Sequence, residues 1–186
     1  METTTQSRII ENPVIKDRVI FLETAAETKG RYSLLQVELS PTGGNEMHIH
    51  KKFDETFTVV KGVLGVQVGD RIIHLQEGET CTAYVGEAHR FFNPSDTEKV
   101  TFNVLIQPGS TNFERSLQVM YGLSRDGLTN SKGIPTSVYH LGLLMVWSDT
   151  HLPGMGRWME PILKWAARLA VKKGIDSQLK ERYCHV

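Results

Sequence analysis

Short apolar runs alternating with polar residues dominate the first part of the chain. Between about residues 18 and 106, Gly, Pro, Asn and Asp separate these runs every eight to twelve residues, which is typical of a sandwich or barrel. The pattern predicts strands at residues 18–23, 32–39, 56–60, 64–68, 71–75, 80–84, 89–92 and 100–106. Gly69 and Asp70 are predicted to form a two-residue hairpin loop, because a leading glycine suits a type II′ turn. No segment of helical period interrupts this region, so we expect a mainly antiparallel, mainly β fold.

The pattern changes to a helical period after residue 109. Asn112 is predicted to cap a helix that begins near Phe113 and ends at Gly122 or Gly127. A second helix is predicted after Pro135, and it ends near residue 147. These signals divide the chain into a barrel with an N-terminal arm (1–110) and a helical extension (111–186) packed on it.

A third helix is predicted from residue 158 or 161 to the two lysines before Gly174. One side carries an apolar stripe at helical spacing: Trp158, Ile162, Trp165, Ala166 and Leu169. The other side carries Lys164, Arg168 and Lys172. We expect this amphipathic helix to pack against the second helix, whose apolar residues also need cover; lying on an anionic membrane is the less favoured alternative. The extension is expected to cap the barrel mouth or cover its outer face, and a contribution to a dimer is a further role predicted for it.

Composition and charge narrow the classes of protein further. The 186 residues include 21 basic and 21 acidic side chains, so the formal net charge is zero. This balance argues against nucleic acid as the main partner, because binding a polyanion needs a positive surface. Cys81 and Cys184 do not form a disulfide framework, and the first residues lack the pattern of a signal peptide. We therefore expect a reduced, cytoplasmic protein without membrane association.

The candidate chemistry lies between residues 43 and 93. His48 and His50 point to the same side if they lie in a strand, at a backbone separation of about 7 Å. A turn after them would bring Glu55 back alongside, and His89 follows in the same region. Imidazole and carboxylate groups without thiolate suit iron, manganese, nickel, copper or zinc. By contrast, the histidines outside this region are interpreted as packing residues: His74, His140, His151 and His185.

These residues resemble the two motifs of the cupin family. The first motif is glycine, five residues, His-x-His, three or four residues, glutamate, six residues and glycine; here it is His48, His50, Glu55 and Gly62, with Thr42 in place of the opening glycine. The second is glycine, five residues, Pro-x-Gly, two residues, histidine, three residues and asparagine; here it is Gly78, Gly86, His89 and Asn93, with Tyr84 in place of proline. Fifteen residues separate the motifs. The two departures concern turns rather than ligands.

The resemblance implies a conical antiparallel double-stranded β-helix, the jelly-roll barrel of cupins, with a metal site inside its mouth. It implies that His48, His50, Glu55 and His89 bind a divalent transition metal. It also implies a homodimer, since small cupins commonly pair through their sheets.

Further residues are candidates for lining the site. Phe57 and Phe91 share strand parity with Glu55 and His89, so they are expected to face the interior, as core or as pocket lining. Asn103 and Gln107 alternate on one face of the last strand and are candidates for the mouth. Gly86 and Asn93 are interpreted as turn formers, and Cys81 as an inert thiol.

The leading functional hypothesis is a metal-dependent enzyme that acts on a small organic molecule. Oxidative cleavage by a dioxygenase is the favoured reaction, followed by metal-assisted isomerisation, cyclisation or lyase chemistry. Glu55 is a candidate base if it leaves the metal. The alternative from another class is a cupin module that binds a small ligand without turnover. A transcriptional role is not favoured, because the extension lacks helix-turn-helix spacing.

Overall fold

The computed structural model describes residues 8–185, and its β-strands occupy the first part of these residues. The strands are β1 (Ile9–Asn12), β2 (Asp17–Glu23), β3 (Ser33–Leu39), β4 (His48–Ile49), β5 (Asp54–Lys61), β6 (Leu64–Val68), β7 (Arg71–Leu75), β8 (Thr80–Ala83), β9 (Ala88–Phe92) and β10 (Val100–Gln107). The larger sheet has the order β1-β2-β3-β10-β5-β8, and the smaller sheet has the order β4-β9-β6-β7. All pairings of these strands are antiparallel.

The two sheets enclose one apolar core and form the expected double-stranded β-helix. Strand β10 illustrates how a strand contributes to this core, because its side chains alternate between buried and partly exposed positions. Phe102 and Ile106 of this strand are fully buried, and they share a core cluster with Leu64 and Val66 of the smaller sheet. Burial of each inward side chain contributes roughly 1.5–3 kcal/mol. The mainly β, antiparallel prediction is confirmed.

The predicted strands are all present, with boundaries that shift by at most two residues. The predicted hairpin is present too, since β6 and β7 pair across Gly69 and Asp70. Two strands were not predicted: β1 lies in the N-terminal arm, and β4 contains only two residues. A two-residue strand is too short to show the alternation on which such predictions depend.

Helices occupy the rest of the described chain: α1 (Thr111–Arg125), α2 (Val138–Trp147), α3 (Glu160–Lys172) and α4 (Ile175–Tyr183), with a 3₁₀ turn at Gly154–Met159 before α3. Ser110, not Asn112, caps α1, because the backbone of Ser110 is extended and its hydroxyl accepts from the Phe113 N–H. Asn112 already lies inside the helix. Of the two predicted helical ends, Gly127 is confirmed, because α1 stops at Arg125 and Gly127 follows with a positive φ of 70°. Gly122 lies inside α1, where the Tyr183 ring occupies the space that a side chain would fill, 2.2 Å from the position of a Cβ.

Helix α1 joins the barrel to the rest of the extension. Phe113 and Tyr121 belong to the core of the barrel. Glu114 is buried and accepts hydrogen bonds from the Ala25 N–H and the Ser33 hydroxyl, each at 2.6 Å. The opposite side of the helix packs with α2, α3 and α4 in a second core that includes Leu123. No helix among the described residues is long and apolar enough to cross a membrane.

Candidate metal centre

Three strands position the four predicted ligands between the two sheets. His48 of β4 lies directly opposite His89 of β9 in the smaller sheet. His50 comes directly after β4 and is separated from His48 by one residue, so it lies on the same side as His48. Glu55 lies on β5 of the larger sheet and faces them. One ligand-type atom from each of the four residues lies within 4.8 Å of the others.

The carboxylate of Glu55 lies among the imidazoles. Its Oε2 atom is 3.0 Å from Nε2 of His89, and its Oε1 atom is 3.7 Å from Nε2 of His50. The ring centroids of the three histidines are 4.5 to 5.5 Å apart. His50, Glu55 and His89 are buried, whereas His48 is partly exposed. Solvent therefore reaches the cluster on the side of His48.

Each histidine has one ring nitrogen bound to a backbone carbonyl. Nδ1 of His48 lies 2.8 Å from the Glu46 carbonyl, and Nδ1 of His89 lies 3.0 Å from the Glu87 carbonyl. Nδ1 of His50 lies 3.1 Å from the carbonyl of Asp149, in the loop after α2. A carbonyl only accepts, so each Nδ1 carries the hydrogen. A neutral ring then has its lone pair on Nε2, which is the tautomer that metal sites select.

The charge balance of the cluster keeps the carboxylate ionised and two of the rings neutral. Burial lowers the pKa of His48 to about 4 and also lowers the pKa of His50. Burial would lower the pKa of His89 as well, but the hydrogen bond and charge of Glu55 raise it above its ordinary value. Burial opposes ionisation of Glu55, yet the three imidazoles lower its pKa to about 2. Glu55, His48 and His50 are thus in the protonation states that bind a cation, whereas His89, with both ring nitrogens on acceptor oxygens, must release a proton to do so.

The polar atoms fit a divalent metal. Nε2 of His50 is buried and has no hydrogen-bond partner, although buried polar atoms are nearly always paired. Ligand atoms about 2.1 Å from one ion lie roughly 3 to 4 Å apart, close to the spacing seen here. A cation between the four side chains would pair with this nitrogen and with the carboxylate. The cluster is therefore compatible with a divalent metal.

Aromatic rings surround the buried part of the cluster. Phe53 lies against His50, with ring centroids 4.4 Å apart. Phe113 of helix α1 contacts the same histidine edge to face at 6.0 Å. Phe57 lies 6.3 Å from His89. An apolar surrounding limits solvent access and strengthens charge interactions at the cluster.

The loop after α2 supports the cluster from outside the barrel. Asp149, buried in this loop, provides the carbonyl that binds His50, and its carboxylate accepts from the Lys51 N–H at 2.6 Å. His151 pairs with Ile49 through two backbone hydrogen bonds. Sequence reasoning missed this support, because its main contact is a backbone carbonyl and backbone atoms carry no residue signature.

Comparison with known families identifies the barrel. Residues 35–106 match a family model described as a cupin domain, and this segment contains both motifs and all four clustered side chains. The barrel is a cupin domain. Cupin domains generally bind small ligands. A search of curated proteins finds no matching sequence.

Several solved cupin structures resemble about half of the chain. One is a predicted oxalate decarboxylase from Thermotoga maritima, with 17% identity, 50% of this chain and 81% of that chain covered, and a TM-score of 0.47. An RmlC-like cupin from Shewanella frigidimarina has 16% identity over 56% of this chain and 86% of that chain, with a TM-score of 0.48. The cupin domain of an XRE family transcriptional regulator from Enterobacter cloacae has 20% identity over 49% and 95%, with a TM-score of 0.44.

Two of the residues proposed to line the pocket of the cupin barrel do face its interior. Phe57 is fully buried, and Phe91 packs against the same core. Asn103 and Gln107 do not face the interior. Strand β10 buries the residues on either side of them, so both point away from the core, and Asn103 accepts a hydrogen bond from Gln36 there. The prediction that Asn103 and Gln107 lie at the mouth is therefore wrong, because the other set of alternating β10 residues faces the interior.

The residues interpreted as turn formers fulfil that role. Gly86 adopts a positive φ of 88°. The Asn93 amide donates to the carbonyls of Leu39, Ser40 and Glu98, and this ties together the loops beside β9. Burial raises the pKa of the Cys81 thiol, in line with an inert cysteine.

Proposed function

We propose that this protein is a metal-dependent enzyme in which His48, His50, Glu55 and His89 hold a divalent transition metal that acts on a small organic molecule. The observation that carries this proposal is the common orientation of the three imidazoles. Each ring binds a carbonyl through Nδ1 and leaves Nε2 for the centre. Packing alone gives no reason for three rings to share this arrangement around one carboxylate.

The donor set favours a site that retains open positions. Three nitrogen ligands and one oxygen ligand suit iron, manganese, nickel, copper or zinc. An ion with six positions would keep two for a substrate or for dioxygen. Structural zinc sites, by contrast, are usually closed and rich in thiolate. We infer that the ion meets a ligand from solution on the side of His48, the partly exposed member of the four.

Dioxygenase-type oxidation is the reaction that the surroundings favour. Phe53, Phe57 and Phe113 make the buried side apolar, and dioxygen partitions readily into apolar surroundings. A redox-active ion bound here supplies the route by which electrons of an organic substrate reach dioxygen. Both oxygen atoms then enter the product, so the reaction needs no external reductant. Glu55 orients His89 and is placed to accept a substrate proton.

The near-complete burial of His50, Glu55 and His89 favours a second candidate, a cupin module that retains a small ligand without turnover. The site reaches solvent mainly at His48, so exchange with solvent is restricted. Metal-assisted isomerase, cyclase or lyase chemistry would use the same four residues without dioxygen.

The first test measures metal content. The purified protein is expected to bind one equivalent of Fe(II), Mn(II) or Zn(II), measured by elemental analysis after removal of free metal. The double variant His48→Ala/His50→Ala is expected to lose the metal, because two of four ligands are removed. The matched control is His74→Ala/His185→Ala, which removes two histidines outside the cluster. Equal metal content in wild type and in the His48→Ala/His50→Ala protein would reject the ligand assignment.

The second test separates the reactions. Protein loaded with Fe(II) is offered phenols and diketones while oxygen consumption is recorded. Oxygen uptake that requires Glu55 supports the oxidative reaction, and organic turnover without oxygen uptake supports isomerase or lyase chemistry. Tight ligand binding that resists EDTA and gives no product would identify the binding module instead.

A further inference from the structure

The apolar residues of α3 fall on two sides of the helix. Leu163, Ala166, Ala167 and Ala170 are buried. They pack on α2, where Gly142 admits the helix so closely that its missing Cβ would lie 2.4 Å from the Leu163 carbonyl. Small side chains suit this contact. The predicted packing of this helix on α2 is confirmed, but the tryptophan-bearing stripe does not make the contact, because only Ala166 of that stripe is buried.

The remaining apolar stripe is open to solvent. Trp158, Ile162 and Trp165 expose 82%, 61% and 59% of their surface, and Leu169 is partly exposed beside them. These four residues are here called the tryptophan face. Ile162, Trp165 and Leu169 recur at intervals of three and four residues, so they lie along one line of α3, and Trp158 precedes them in the 3₁₀ turn. Large exposed aromatic clusters on a surface mark interaction sites.

Positive charge adjoins the tryptophan face, because Arg168 and Lys172 line the same surface groove as Trp165 and do not lie on the opposite side of the helix as predicted. Residues 157–173 contain five cations, namely Arg157, Lys164, Arg168, Lys172 and Lys173, although the whole chain is neutral. The single carboxylate in this range, Glu160, is buried against His151 and Lys164. Among residues 8–185, Arg157, Arg168 and Lys172 form no ion pair with a carboxylate. The charges of this surface are available to an anionic partner.

We infer that the tryptophan face docks on the surface of an anionic lipid bilayer. Helices that lie in the plane of a membrane interface combine tryptophan and aliphatic residues on one side with lysine and arginine beside them. Indole rings favour the headgroup level, and the cations contact anionic headgroups. A second copy of the chain fits less well, because two copies related by a two-fold axis would bring these cations together.

The test measures co-sedimentation of the full-length protein with vesicles. Vesicles of phosphatidylserine and phosphatidylcholine in equal parts are expected to bind the protein at low salt, and phosphatidylcholine alone is expected to bind it at least about tenfold more weakly. Added salt is expected to reduce binding to the anionic vesicles, because it screens the cations.

Two variants examine the two parts of the surface. Trp158→Ser/Trp165→Ser removes the indoles and is expected to lower partitioning at least about tenfold. Arg168→Glu/Lys172→Glu is expected to abolish the preference for anionic vesicles. Ile72→Ser/Tyr84→Ser is the matched control, since it removes two side chains of similar exposure from the barrel surface. Circular dichroism verifies that each variant is folded.

Two results would overturn the inference. One is equal binding of wild type and the Trp158→Ser/Trp165→Ser protein to anionic vesicles, or no binding by either. The other is a wild-type dimer in sedimentation velocity that this variant converts to a monomer, without any vesicle binding. That outcome would assign the tryptophan face to a contact between copies.

Discussion

Outside the metal cluster, Asp17 is a buried carboxyl group with a raised pKa. It is buried, and its Oδ2 atom accepts a 2.5 Å hydrogen bond from the Tyr121 hydroxyl, whereas its Oδ1 atom has no partner. Burial raises the pKa of Asp17 to about 6, although the hydrogen bond from Tyr121 opposes the shift. The folded state therefore holds a proton that the unfolded state releases at lower pH.

This raised pKa predicts that stability falls as pH increases. The contribution from protonated Asp17 is fully present below pH 3.8 and is lost as pH rises through about 6. The loss is at most about 3 kcal/mol. Asp17→Asn cannot ionise, so its free energy of unfolding relative to wild type should increase between pH 4 and 7 and level off above pH 7. Urea unfolding of both proteins across this pH range measures the difference in their free energies of unfolding. Parallel curves would contradict the prediction, and Asp96→Asn, at an exposed position, is the control.

At the scale of elements, the loop after α2 acts on the candidate metal centre through Asp149. This residue adopts a positive φ of 51°, uncommon for a side chain other than glycine. The Asp149 carboxylate accepts a hydrogen bond from the Lys51 N–H. That bond fixes the loop in the position where the Asp149 carbonyl is hydrogen-bonded to the His50 ring. Outer contacts of this type typically account for tenfold to about a hundredfold in metal affinity.

Replacing Asp149 should therefore weaken metal binding without removing a ligand. Asp149→Ala is expected to raise the dissociation constant for Zn(II) about tenfold, because the loop loses its hydrogen bond from the Lys51 N–H. Asp149→Asn retains an acceptor oxygen and tolerates positive φ, so it should remain close to wild type. Competition with a chromogenic chelator gives the affinities, and Asp96→Ala is the control. If Asp149→Ala binds zinc as tightly as wild type, the loop has no role at the site.

The cluster and its support differ in how far the sequence predicts them. His48 and His50 share one side through strand alternation alone. Glu55 does not return alongside them as predicted but faces them from the other sheet, so its place in the cluster depends on the barrel. Asp149 is 99 residues from His50 and contacts it through a backbone atom. Similarly, the pattern of α3 shows an apolar stripe, but periodicity cannot show that small residues on the other side make the closer contact.

At the scale of the whole molecule, the metal cluster joins the two sheets and the extension. Its ligands come from β4, β5 and β9, and its supporting contacts come from α1 and the loop after α2. An ion that binds these four groups only when they are assembled stabilises the folded state by linkage. At a metal concentration a hundredfold above the dissociation constant, the free energy of unfolding rises by about 2.7 kcal/mol.

Metal should therefore raise the melting temperature. For a chain of this size the expected rise is roughly 5 to 10 °C, and EDTA should reverse it. The rise should be larger at pH 8 than at pH 5.5, because the pKa of His89 lies above its ordinary value, so protons compete with the ion as pH falls. Calorimetry with Zn(II) measures both effects. His48→Ala/His50→Ala should show no rise, while Trp158→Ser/Trp165→Ser should retain it, because the tryptophan face does not contact the cluster. A rise of the same size in all three proteins would mean that the ion binds elsewhere.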